Sequence, residues 1–274
     1  MSWWQAIILG IVQGLTEFLP VSSSGHLVIF GDLLGVDPEG FLDFTVTVHT
    51  ATVLSTLVVF WATVVRLLKG LFRFRYNDET DYVCKILVSM IPVGIVGVFF
   101  KDQVEALFGD GLVPVGVGLC VTAFLLFASD RFNLSGRFAR RGADDSRNGI
   151  SWWQALAVGL GQAFAVAPGL SRSGTTIATG LLTGVKRENI AQFSFLMVLL
   201  PILGEQALDL LKTLTGHAET AAGAGAPALV LGFVAAFLSG LLACRAMVAL
   251  VKKTKLTWFA VYCLLVAVLI FIFA

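Results

Sequence analysis

The sequence predicts an all-α integral membrane protein: six transmembrane helices plus two re-entrant helical hairpins in an inverted-topology repeat. Three observations carry that prediction. The 274 residues are 57% hydrophobic and only 14% charged, with a mean hydropathy of +0.87, whereas soluble domains run about 45–50% apolar and about 25% charged. Long apolar segments alternate with short polar or basic connections. Two further apolar stretches break midway in matching fashion, 149 residues apart. Together these exclude a soluble enzyme, a disordered chain and a secreted disulfide scaffold. Cys84, Cys120, Cys244 and Cys263 lie singly in or beside apolar runs, without metal-ligand spacing, and read as small buried hydrophobes. A net charge of +1 gives nucleic-acid binding no support.

In chain order, the first stretch, about 3–35, lacks the basic start of a signal peptide and carries polar Gln13, Thr16 and Glu17 inside its apolar run. It is interrupted by Leu19-Pro20-Val21-Ser22-Ser23-Ser24-Gly25. Proline, glycine and serines halfway along an apolar stretch indicate two half-helices meeting at a turn. Such backbone is tolerated at membrane depth only where protein or a wet cavity shields it. Spans follow at about 43–66, 83–100 and 112–130. The second broken stretch, about 152–185, turns at Pro168-Gly169-Leu170-Ser171-Arg172-Ser173-Gly174, and spans at about 189–212, 226–250 and 256–274 complete the chain. Each span has roughly the 20 residues a bilayer crossing needs.

The broken stretches are copies. Ser2-Trp3-Trp4-Gln5-Ala6 recurs as Ser151-Trp152-Trp153-Gln154-Ala155, and the same offset pairs Gly10 with Gly159, Gln13 with Gln162, Ser22 with Ser171, Ser24 with Ser173 and Gly25 with Gly174. A single membrane domain, 1–274, thus reads as repeats of about 2–130 and 151–274 joined by a basic loop, 131–150. Basic residues gather after the first span (Arg66, Lys69, Arg73, Arg75), after the third (Arg131, Arg137, Arg140, Arg141, Arg147) and between the fifth and sixth (Arg245, Lys252, Lys253, Lys255). The positive-inside rule makes those connections cytoplasmic. Three spans per repeat then invert the second repeat, put both termini outside, and bring the two breaks together near the midplane.

Polar residues at the breaks are costly in a membrane unless they meet one another, water or a ligand. The first carries Gln13, Glu17, Ser22, Ser23, Ser24 and His26; the second carries Gln162, Ser171, Arg172, Ser173, Thr175 and Thr176. Gln13 and Glu17 are spaced i, i+4 and share a helix face. Serines at new helix starts cap free N–H groups, and the positive helix end favours an anion. With Arg172, whose planar fork suits phosphate, this describes a phosphate or carboxylate site. His49 lies inside the first span, where the sequence leaves open whether it faces the cavity, and His217 sits in a polar loop expected to be solvated. Trp3, Trp4, Trp152 and Trp153 read as interfacial anchors.

The run Gln13-Gly14-Leu15-Thr16-Glu17-Phe18-Leu19-Pro20-Val21-Ser22-Ser23-Ser24-Gly25-His26 resembles the first signature of the bacterial undecaprenyl-diphosphate phosphatases of the bacitracin-resistance type. Pro168-Gly169-Leu170-Ser171-Arg172-Ser173-Gly174-Thr175-Thr176 resembles the second, and Phe193-Ser194-Phe195-Leu196 with Pro201 a third. Gln13 stands where many members have Glu. The resemblance spans essentially the whole chain. It implies hydrolysis of a long-chain isoprenoid diphosphate lipid in the bacterial cytoplasmic (inner) membrane, recycling the carrier for cell-wall synthesis. It also implies a divalent cation, Mg²⁺ or Ca²⁺, for which Glu17 is one candidate ligand and Gln13 a weaker one, and it leaves room for a homodimer.

By that resemblance Glu17, Ser23, His26 and Arg172 are catalytic, Ser22, Ser24, Ser171, Ser173 and Thr175 bind phosphate, and Gln13 supports them. Ser23 is the preferred nucleophile, with water activated by His26 or Glu17 as the alternative. The active site is expected to open to the outer side. A lipid transporter would use similar repeats and helix ends, while a structural scaffold gives no reason for ionisable groups in both breaks.

Overall fold

Two N-terminal caps of the same design set the frame of the bundle. The Ser2 backbone N–H donates to Gln5 Oε1 at 2.7 Å, and that of Ser151 to Gln154 Oε1 at 2.9 Å. The amide ends of these glutamines then reach Leu34 O and Thr183 O, each at 2.9 Å. Each bond ties the start of one helix to the end of the next, so both helix pairs fold back on themselves. In this computed structural model the described residues are 1–37, 40–100, 103, 111–132, 148–214 and 225–273. Every regular element among them is a helix: α1 (Trp3–Phe18), α2 (Ser23–Leu33), α3 (Phe41–Val59), α4 (Trp61–Leu71), α5 (Asp78–Phe99), α6 (Val113–Arg131), α7 (Trp152–Phe164), α8 (Arg172–Leu182), α9 (Arg187–Leu214), α10 (Ala226–Lys253) and α11 (Thr257–Phe273).

The all-α class stands, but six transmembrane helices with two re-entrant hairpins do not. Among the described residues three helices are long and apolar enough to cross a membrane, Asp78–Phe99, Val113–Arg131 and Ala226–Val251, or four if the bent pair Asp43–Val59 and Trp61–Leu71 counts as one span. The expected span at 43–66 fails because the chain turns by 76° between α3 and α4. Phe60, at the turn, is 8% exposed and packs on Phe195 with ring centroids 6.2 Å apart. The stretch at 189–212 belongs to a helix that carries Arg187, Glu188, Glu205, Asp209 and Lys212. Its apolar residues Phe193, Phe195, Leu196 and Met197 serve the protein interior, at 5% exposure or less. The last stretch forms a helix of 17 residues, about 26 Å long against a hydrocarbon core of about 30 Å. The broken stretches do part where expected, into α1–α2 and α7–α8, yet neither pair meets the test of a span. Hydropathy alone cannot separate a helix buried in protein from one bathed in lipid, so the span count and the inverted topology derived from it are both withdrawn. The basic loop 131–150 lies largely outside the described residues, and His217 wholly so.

Four packing pairs dominate: α1 on α10, α10 on α3, α6 on α11, and α5 on α7. The α1–α10 contact needs backbones in near touch. A Cβ at Gly14 would lie 2.0 Å from Ser239 Oγ and 2.5 Å from Ala236 O. Small-residue seams of this kind are how helices associate where no water is squeezed out. At the far end, Asp130 accepts from Arg187 and caps α11 through Thr257 N (2.7 Å) and Oγ1 (2.9 Å), while Arg187 also donates to Thr254 O at 2.8 Å. The ends of α6, α9, α10 and α11 are thereby pinned at one point.

Replacing Gly14 with Leu should overpack the α1–α10 seam and cost about 1–3 kcal/mol or more. A lowered thermal midpoint of the detergent-purified protein checks this; an unchanged midpoint would mean the seam is not tight.

Candidate active site

The residues flanking the two breaks converge. Ser173 Oγ, at the start of α8, donates to Leu19 O at 3.1 Å, and Cys263 Sγ of α11 donates to Pro20 O at 3.6 Å. The Ser171 backbone N–H donates to Thr122 Oγ1 of α6 at 3.0 Å. The floor under the second break is close: a Cβ at Gly118 would sit 2.1 Å from Pro168 O. Serines cap both new helices, as the sequence predicts. Ser22 Oγ accepts from Gly25 N at 3.3 Å and Ser171 Oγ from Gly174 N at 3.1 Å.

Glu17 is the hub. Its Oε2 accepts from Ser23 Oγ at 2.6 Å and from Gln13 Nε2 at 2.9 Å, and His49 Nε2 lies 3.6 Å away. The i, i+4 spacing of Gln13 and Glu17 produces the second of these bonds, whereas Ser23 arrives only because the chain doubles back after Pro20. Glu17 and Arg172 line one cleft with Thr52, Thr56, Ser173 and Ser194, closed by Phe18, Phe195, Val198 and Leu199; its volume is about 30 Å³. Opposite charges face each other there in largely apolar surroundings, where water screens them weakly.

Other expected residues stand elsewhere. His26 touches neither Ser23 nor Glu17; its Nδ1 bonds Ser22 O and its Nε2 the Tyr262 hydroxyl, each at 2.8 Å. Ser24 Oγ lies 3.5 Å from Ser22 Oγ and lines a separate cavity of about 300 Å³ with Val28, Asp32, Leu112 and Pro168. Ser171 Oγ lies 3.3 Å from Ser173 Oγ. Thr175 is buried, and its hydroxyl has no hydrogen-bond partner among the described residues. A polar cavity of about 300 Å³, lined by Arg66, Asp78, Glu79, Tyr82, Asn148, Asn189 and Gln192, contains none of the expected residues.

His49, Thr52 and Thr56 reach the site without having been assigned to it. Their spacing of three and four puts them on one face of α3, but Asp43, Thr45, Thr47, Thr50 and Ser55 on the same helix hid that face in the sequence. Tyr262, 236 positions from His26, had no signal there.

For a metal, the donor set is thin. Among the described residues no group of three or more His, Cys, Asp or Glu gathers. Gln13 Oε1 is buried without a partner among the described residues next to Glu17, so one carboxylate and one amide oxygen are available. A hard divalent cation takes about six to eight, leaving most of the shell to substrate and water.

The family described as "Bacitracin resistance protein BacA" matches residues 6–269. A protein of Bacteroides fragilis named undecaprenyl-diphosphatase is 53% identical over 268 residues, covering 98% of this chain and 97% of its own. One of the same name from Parabacteroides distasonis is 54% identical over 263 residues, covering 96% and 95%. Another, from Methanobrevibacter smithii, is 40% identical over 282 residues, covering 97% and 96%.

Substituting Ser173 with Ala removes a bond between the breaks while Leu19 O keeps the one it accepts from Val21 N at 2.8 Å, a loss of about 0.5–1.5 kcal/mol. A thermal midpoint equal to wild type would show that the breaks are held together by other contacts.

Proposed function

This chain belongs to the family described as bacitracin resistance protein BacA, and on that premise we propose that it acts as its relatives are named, as an undecaprenyl-diphosphatase. It is a multi-pass membrane hydrolase that converts undecaprenyl diphosphate to undecaprenyl phosphate and inorganic phosphate, returning the lipid carrier to cell-wall synthesis and conferring bacitracin resistance. The observation that carries the reading is the Ser23 hydroxyl bonded to Glu17 at 2.6 Å inside a cleft that Arg172 also lines.

In the mechanism we propose, Ser23 Oγ attacks the terminal phosphorus while its proton passes to Glu17. The bond to the bridging oxygen breaks, and undecaprenyl phosphate leaves. Water then cleaves the phosphoserine, releasing inorganic phosphate and restoring the hydroxyl. Little covalent work falls to the protein in phosphoryl transfer, so the rate rests on position and on stabilised charge. Arg172 supplies that charge, backed by the capped helix starts at Ser22 and Ser171. Gln13 aligns Glu17. His26 has no route to the Ser23 proton in this geometry, which favours Glu17 as base. A divalent cation fits as a passenger of the diphosphate, with Glu17 and the unpaired Gln13 oxygen at its edge, where it would neutralise phosphate charge.

A volume of about 30 Å³ has room for about one water, so the diphosphate enters only after Phe195 and its neighbours move aside. The orientation is part of the same proposal. The basic ends of α6 and α10 mark the cytoplasmic side, and α1, whose Gly10 and Gly14 meet Gly232 and Gly240 in the same order along α10, starts on the outer side. The matched caps and glutamine bonds, 149 residues apart, support reading 2–130 and 151–274 as two copies of one unit.

The purified protein should release phosphate from a long-chain isoprenoid diphosphate; transbilayer movement of the lipid in vesicles without phosphate release would make it a transporter instead. Arg172→Ala should lower kcat by about 100–1,000-fold, as for loss of one transition-state donor, and Arg172→Lys should remain severely impaired because the planar fork is gone. Thermal midpoints should stay near wild type. If Glu17→Gln restored activity to Arg172→Ala, the two residues would be structural partners and the catalytic assignment would fail.

A further inference from the structure

We propose that Tyr262, on α11, is a positioning residue for the turn that presents Ser23, and that it acts through His26; the inference rests on the reading of Ser23 as nucleophile. Ser22, immediately before Ser23, has φ +68° and ψ +94°, a region costly for any residue with a side chain, by about 1–3 kcal/mol. This one residue sets the direction in which the Ser23 hydroxyl leaves the chain, so whatever holds Ser22 aims Ser23 at Glu17.

His26 holds the Ser22 carbonyl twice, donating its backbone N–H at 3.1 Å and its Nδ1 at 2.8 Å. A carbonyl oxygen only accepts, so Nδ1 must carry a hydrogen. In the neutral ring that leaves Nε2 as the acceptor, and the Tyr262 hydroxyl lies 2.8 Å from it. The two rings are within 11° of parallel, with centroids 5.6 Å apart. His26 is 2% exposed, so bulk water does not stand in for the hydroxyl. Without that hydroxyl the buried Nε2 loses its partner, and the ring is free to tilt away from Ser22 O and loosen the turn. Ser22 O therefore fixes the tautomer, Tyr262 pairs the remaining nitrogen and anchors the ring, the anchored ring braces Ser22, and Ser22 directs Ser23. The neighbouring Cys263 donates to Pro20 O at 3.6 Å, so α11 grips the first break on both sides of Ser22.

The test uses the full-length detergent-purified protein with ¹⁵N-labelled histidine and the Tyr262→Phe substitution, which keeps the ring and removes only the hydroxyl. The His26 Nε2 signal should lose the shift of a hydrogen-bonded acceptor while Nδ1 keeps its hydrogen. The kcat for phosphate release should fall by about 5–10-fold, the worth of one neutral hydrogen bond, with KM within twofold and the thermal midpoint near wild type. An unmoved His26 signal, or a moved signal with unchanged kcat, would overturn the positioning role. A loss of stability with unchanged kcat would reduce Tyr262 to a packing residue and overturn it equally. Ser23→Ala is measured in parallel: wild-type turnover there would overturn the nucleophile reading alone, since the His26 readout does not depend on it.

Discussion

Everything in this bundle depends on two interrupted helices satisfying each other's backbone in an interior without water. A break exposes carbonyl and amide groups that a continuous helix would pair internally, and in low-dielectric surroundings each orphan is expensive. Here the orphans are absorbed locally and across the junction. Serine hydroxyls cap the new helices, Ser173 reaches Leu19 O, Thr122 receives the Ser171 amide, and Cys263 and His26 serve Pro20 and Ser22. The outer helices are arranged to deliver those partners: α6 stands under the second break, α11 beside the first.

The same requirement generates the site. Polar residues that cap and brace the breaks lie beside Glu17 and Arg172 in an otherwise largely apolar region, so groups that hold the fold are neighbours of those assigned to the chemistry. Glu17 shows the overlap. One of its oxygens takes hydrogen bonds from Ser23 and Gln13 and faces His49, which keeps a half-buried carboxylate compensated with the Ser23 hydroxyl held against it. Phe18 and Phe195, whose ring centroids are 5.8 Å apart, close the cleft and leave little room for water.

Legibility differed from residue to residue. The breaks were readable because Pro20 and Gly169 cannot continue a helix and the serines beside them prefer caps. The Gln13–Glu17 bond followed from spacing on one turn. His26, by contrast, sits three residues from Ser23, close enough in sequence to suggest contact, yet its ring turns back one helical turn onto the Ser22 carbonyl, as that of His49 does onto Thr45 O. The error in span count has a similar origin. Phe193, Phe195 and Met197 are as apolar as any lipid-facing residue, but they are buried against Tyr82, Phe18 and Phe60 rather than exposed to a bilayer.

By itself, then, the sequence determined that this protein is a helical membrane protein, where its helices break, which side chains cluster at the breaks and, through two long motifs, the family to which it belongs. These are properties of composition, spacing and local conformational preference, and each acts within a few residues. Tertiary structure alone decided which apolar helices cross and which are interior, that Ser23 bonds Glu17 and not His26, that His49, Thr52 and Thr56 face the site, and that Tyr262 meets His26 from the other end of the chain. Those outcomes turn on the direction of a side chain after a bend and on contacts between helices far apart in sequence, and no local preference encodes either.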